Sequence, residues 1–205
     1  MTIVANASVS DFFEQAVDDA MKARGLSASA AAKSYVIALL AELAKPGSPV
    51  ERTLERPLTL LLDEALHTAP VGERFEKLRT LGDGVLYSSG FFADHFEARG
   101  VDTKYVMTIG QTAYQNAGSL LRTGSERDVT QTVDIFGELA KNFQIFVTVV
   151  SEVAHATVAR GVATSRGVLN LYERWLKTRN ERLGEALASH GFVTPRARGG
   201  GRVLS

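Results

Sequence analysis

Apolar residues along this chain recur at three- and four-residue intervals, the period of an α-helix with one buried face. Phe12, Phe13, Ala16, Val17, Ala20 and Met21 form the first such stripe, with Ser10 placed as its N-cap and Gly25 as its stop. A second stripe, starting near Ser27 or Ser29, carries Ala32, Tyr35, Val36, Leu39, Leu40 and Leu43 until Pro46, Gly47 and Pro49 end it. These two read as a helical hairpin.

Downstream, Leu58 to His67 predicts a short helix between Pro57 and Pro70, and Pro70 opens a longer one reaching Phe96, closed by Gly100. Asp102 or Thr103 is placed to cap a helix through Tyr105, Ile109, Tyr114 and Ala117 to Leu121. Ser125, with Asp128 at capping-box spacing, would start a long helix to Arg160, with a bend expected near Gly137 or Asn142. A last helix, from about Ser165 to Ser189, aligns Val168, Leu171, Tyr172, Trp175, Leu176, Leu183 and Leu187. No pair of alternating segments joined by a hairpin turn interrupts the pattern. The expectation is an all-α single-domain bundle of about six or seven helices over residues 1–192, with a flexible Gly/Arg-rich tail over 193–205.

Two of these helices differ from the others. Between Leu81 and Phe92 the one charge is Asp83, and between Tyr105 and Leu121 there is none. A helix without a charged face is enclosed by its neighbours. Gly82, Gly84, Gly90 and Gly110, with Ala113, Ala117 and Gly118, allow close backbone approach, so Leu81 to Leu121 is expected to supply a central crossing pair. Each interior glycine costs about 1 kcal/mol relative to alanine, so their number implies a packing or binding reason.

The string Leu81-Gly82-Asp83, Leu86-Tyr87, Ser89-Gly90-Phe91-Phe92, then Val101-Asp102, Tyr105, Ile109-Gly110 and Ala113-Tyr114 resembles an uncharacterised family of bacterial all-helical proteins. Phe12-Phe13 and Tyr35 with Leu39-Leu40 resemble its N-terminal hairpin. The resemblance implies a helical fold and brings no activity, cofactor or site residue with it.

Composition narrows the chemistry. The 205 residues include no cysteine, which removes disulfides, thiolate nucleophiles and Cys-ligated metals and suits a reducing, cytoplasmic setting. Neither a signal peptide nor an apolar run long enough to span a bilayer is read, and no membrane partner is expected. Net charge is zero, yet from Arg160 to Ser205 nine basic residues face three acidic ones. Arginines spread along a solvated helix explain such a gradient, and the tail with Arg196, Arg198 and Arg202 lacks the interleaved aromatics of a nucleic-acid site. Nucleic acid is therefore not expected as a partner. Gly82-Asp83-Gly84 and Gly199-Gly200-Gly201 lack the context of a nucleotide-binding loop.

Three constellations remain. Glu64 with His67 and Glu152 with His155 repeat an E-x-x-H spacing that could chelate iron or manganese in a ferritin-like bundle, where about 0.3 such matches arise by chance. The plainer reading has His67 capping a helix end and His155 bonded to backbone. Asp83 with Tyr87, Tyr105 and Tyr114, and with Asp94 and His95 nearby, marks the low-charge centre, as a ligand pocket or as a buried aspartate satisfied by tyrosine hydroxyls. Tyr172, Trp175 and Arg179 offer a surface for a protein partner or second copy. Without a complete catalytic set, the leading expectation is a non-enzymatic cytoplasmic binding or scaffolding module, self-associating and cofactor-free. The metal bundle and a small-ligand pocket are the alternatives.

Overall fold

The computed structural model describes residues 9–43, 56–93, 96, 100–124, 134–160, 172–173, 175–179 and 181–189. The fold is an all-α helical bundle. In order, its helices are α1 (Val9–Arg24), α2 (Ala30–Leu43), α3 (Leu58–His67), α4 (Val71–Phe91), α5 (Thr103–Gly124), α6 (Ile135–Lys141), α7 (Phe143–Arg160) and α8 (Glu181–Ser189).

The α1–α2 hairpin forms as expected, and its turn is a helix stop of defined chemistry. Gly25 sits at φ +62, its N–H donates to the Lys22 carbonyl, and the Leu26 N–H reaches back to the Met21 carbonyl. Ser10 is not the cap, because α1 already includes Val9. Ser29 is the cap of α2: its hydroxyl accepts the Ala32 N–H at 3.1 Å. At α5, Asp102 Oδ1 accepts the Lys104 N–H at 2.8 Å, as its position predicts.

The central pair is α4 with α5. The α4 stretch from Leu81 to Leu86 is buried without interruption, as are Ser88 to Gly90. A Cβ at Gly82 would overlap the Tyr114 ring, and one at Gly110 would overlap Val85 and Phe143. The absent side chains are therefore the space that the facing helices fill. These two contacts pair 82 with 114 and 85 with 110, which is an antiparallel crossing.

Several boundaries differ from expectation. Helix α4 stops at Phe91, where Phe92 leaves helical geometry at φ −128 with its N–H on the Ser88 carbonyl. Gly100, at φ +67, does close the following turn, with the Val101 N–H on the Phe96 carbonyl. The expected Ser125 cap lies outside the described residues. The described helix there begins at Ile135, capped by Asp134, whose carboxylate accepts the Gly137 N–H at 2.8 Å. The break at Asn142, between α6 and α7, is where a bend was expected. The last helix is not continuous: Arg179 stands at φ 52 ahead of α8.

The chain groups into two compact units, residues 1–153 and 154–205. The first holds the large core drawn from α1 to α7. The second has its own small cluster of Trp175, Leu183 and Leu187, with Val158 and Ala186 against it. The 193–205 tail lies outside the described residues. No helix among those described is long and apolar enough to cross a membrane.

The crossing generates a test. Replacing Gly110 with alanine forces a methyl group into Val85 and Phe143, and urea denaturation should show a loss of about 1–3 kcal/mol. Gly72→Ala, at an α4 position with open space around it, should leave stability unchanged or raise it.

Candidate functional site

The most polar point of the first core is Asp83, 5 % exposed. Its Oδ1 accepts two hydrogen bonds, from the Tyr35 hydroxyl at 2.7 Å and from the Tyr114 hydroxyl at 2.7 Å. These tyrosines come from α2 and α5. Gly82 and Asp83 act in sequence: the first leaves room for the Tyr114 ring, and the next residue receives its hydroxyl.

Phe136 from α6 closes the cluster, lying 5.3 Å from the Tyr35 ring, 5.4 Å from Phe75 and 5.7 Å from Tyr114. Four helices thus meet around one carboxylate. Burial pushes the Asp83 carboxyl above the usual carboxylate range, opposed by the hydrogen bonds from Tyr35 and Tyr114 and by the positive charge of Arg79. Burial likewise pushes both phenols well above the ordinary tyrosine value, with the nearby Asp83 charge acting the same way. They stay hydroxyl donors.

Of the four residues expected at this centre, the structure joins Asp83 and Tyr114. Tyr87 instead stacks on Phe91 with centroids 4.6 Å apart, and Tyr105 is exposed. Asp94 and His95 lie outside the described residues. The partner that sequence reasoning missed is Tyr35, which was assigned to the apolar stripe of α2. Its signal was being the one hydroxyl-bearing aromatic on that stripe.

The E-x-x-H residues are placed separately. Glu64 faces solvent and holds Arg56 at 2.5 Å, and the Arg56 hydrogen bond keeps its carboxyl below the usual range. His67 also faces solvent, with Nδ1 2.9 Å from the Asp63 carbonyl oxygen, close to the expected helix-end role. Glu152 is buried and paired with Arg24 of α1, and His155 is buried. Among the described residues no three His, Asp or Glu side chains are grouped to hold a metal ion.

At Gly82 and Gly110 the space between the small-residue helices is taken by Tyr114 and by Val85 and Phe143. An open cleft of about 680 Å³ lies instead between α5 and α6, lined by Gln111, Gln115, Arg122, Asp134, Glu138 and Lys141 among others. Its carboxylates are engaged already. Asp134 caps α6 and pairs with Arg122, while Glu138 accepts the Ser29 N–H at 2.7 Å and the Ser29 hydroxyl at 2.5 Å.

Apolar surface is concentrated elsewhere. At the C-terminal end of α4, Tyr87 stacks on Phe91 and meets Phe92 edge-on at 5.7 Å, and Phe92 is 45 % exposed. The antiparallel register of α4 and α5 puts the start of α5 at the same end, where Val101 and Tyr105 are exposed. In the second unit Trp175 is buried, whereas Tyr172 and Leu176, expected on its buried stripe, are exposed.

Comparison with protein-family models, with curated proteins and with solved structures gives no match to this chain.

The aspartate cluster predicts a pH signature. A folded-state carboxyl value above the unfolded one means the folded state holds the proton more tightly, so this contribution to stability is present at low pH and is lost as pH rises through the raised value. Asp83→Asn keeps an acceptor oxygen without the charge. Relative to wild type, its stability in urea titrations should therefore improve steadily between pH 3 and 7. Tyr114→Phe should cost about 1–3 kcal/mol, the cost of removing one partner from a buried polar group.

Proposed function

We propose that this protein is a non-enzymatic cytoplasmic binding module that works through protein–protein contact, with self-association as its form. The observation that carries the reading is the aromatic end of the α4–α5 pair. Tyr87 and Phe91 stack on each other, partly buried against the core, and hold the exposed Phe92 edge-on to Tyr87, while Val101 and Tyr105 at the start of α5 are exposed as well. Covering Phe92, Val101 and Tyr105 removes apolar surface from water, and a ring already held by its neighbours gives up little conformational entropy when another surface covers it.

The interior supports the same reading. Its most polar group, the Asp83 carboxylate, is enclosed and held by two tyrosines, an arrangement suited to fixing helices. A second copy is the partner that needs no further component, and a two-fold axis would set the same aromatic patch against itself. The cytoplasmic part of the reading follows the cysteine-free composition.

Sedimentation equilibrium tests the proposal. Wild type should show concentration-dependent dimerisation, and a Phe92→Glu, Tyr105→Glu variant should dissociate at least about tenfold more readily. Both positions are exposed, so the variant should keep its helical circular dichroism and its melting temperature. A wild-type chain that stays monomeric at every accessible concentration would sink the self-association reading.

A further inference from the structure

The second unit begins at Ala154, and the chain's charge divides at the same place. Residues 154–205 hold nine basic side chains against three acidic, while residues 1–153 hold 14 against 20. Eight of the nine are arginine, whereas the first unit divides its basic residues into eight arginines and six lysines. Arginine's planar fork pairs with phosphate oxygens two at a time and stacks on aromatic faces, which lysine does less well.

The local geometry supplies what the tail alone lacked, namely aromatics among the cations. Tyr172 and Trp175 lie with ring centroids 6.1 Å apart at an interplanar angle of 30°. The Arg179 guanidinium carbon lies 4.6 Å from the Trp175 ring centre. Trp175 is anchored in the Leu183 and Leu187 cluster, so the platform is fixed from below. Tyr172, Leu176 and Arg179 are exposed, as is Lys177 two positions beyond Trp175, with Glu173 as the one described acidic neighbour on that segment. Arg179 holds φ 52, a left-handed conformation that costs a non-glycine residue about 1 kcal/mol or more. Its N–H still bonds the Trp175 carbonyl at 2.8 Å, so this backbone turn is what sets the guanidinium over the ring.

From this we infer that the second unit is a binding surface for single-stranded nucleic acid, with Tyr172 stacking on a base and Arg179 meeting phosphates. An exposed aromatic beside a stacked arginine suits unpaired bases, whose faces are open, and their phosphates answer the positive charge of the unit. This inference does not depend on the function proposed for the aromatic end of α4.

Fluorescence anisotropy of the full-length protein with labelled oligo-uridylate and oligo-thymidylate 20-mers tests the inference, and Trp175, the sole tryptophan, gives a second signal. Binding should weaken about tenfold between 50 and 200 mM salt, as expected for release of counterions from about three phosphates. Tyr172→Ala should cost about tenfold by removing one stacking face. Arg179→Gly is the decisive variant, because glycine relieves the backbone at that φ: melting temperature should hold or rise while affinity falls about tenfold. Absence of binding at 50 mM salt would overturn the inference. So would equal affinity for heparin or for vesicles of phosphatidylglycerol, or affinity unmoved by both Tyr172→Ala and Arg179→Gly.

Discussion

The fold of the first unit depends on one carboxylate. Asp83 would be a severe liability in a helix with no other charge from Leu81 to Phe92 unless its oxygen were satisfied, and two tyrosines from different helices satisfy it. The requirement is geometric as well as energetic. Tyr114 reaches Asp83 only because the preceding residue is glycine and leaves its ring a seat. Tyr35 reaches it only if α2 lies over α4 at one register. Hydrophobic contacts tolerate a helix sliding by a fraction of a turn, whereas two hydrogen bonds at 2.7 Å do not, so the polar cluster chooses among packings that the apolar residues would accept.

A second polar contact fixes α6 in the same arrangement. In the usual capping box, a glutamate three residues after the cap returns to bind the cap's own N–H. Position three of α2 is Ala32, which cannot do so. Glu138 of α6 takes that role, binding both the N–H and the hydroxyl of Ser29. Two residues before Glu138, Phe136 packs between Tyr35 and Tyr114. One short helix therefore joins the cap of α2 to the aspartate cluster, and the seven residues of α6 are held by these contacts more than by their own helical preference.

Much of this was legible in the sequence. The period of the apolar residues gave the helices, the charge-free stretches gave the central pair, and the glycines marked where α4 and α5 touch. Asp83 stood out for being the lone charge in its segment. What pattern could not supply was pairing between distant residues: Tyr35 with Asp83 across 48 positions, or Ser29 with Glu138 across 109. Local capping rules failed where the cap came from elsewhere, and the E-x-x-H spacing misled because residues three apart share a face without sharing a cavity with another helix. Helix stops at Phe92 and Arg179 carried no glycine or proline signal of their own.

The two units call for different physical behaviour from their surfaces. The contact proposed through the aromatic end of α4 would be driven by removal of apolar area from water, which salt hardly weakens. The contact inferred through Tyr172 and Arg179 would be driven by charge and stacking, and the charge part fades within a Debye length of about 8 Å at physiological ionic strength. A neutral chain that segregates its charge in this way keeps both kinds of contact available at once. In composition the second unit carries nine basic residues against three acidic, and the first carries 14 against 20, so an anion that docks on the second unit meets a segment of net positive charge although the chain as a whole is neutral.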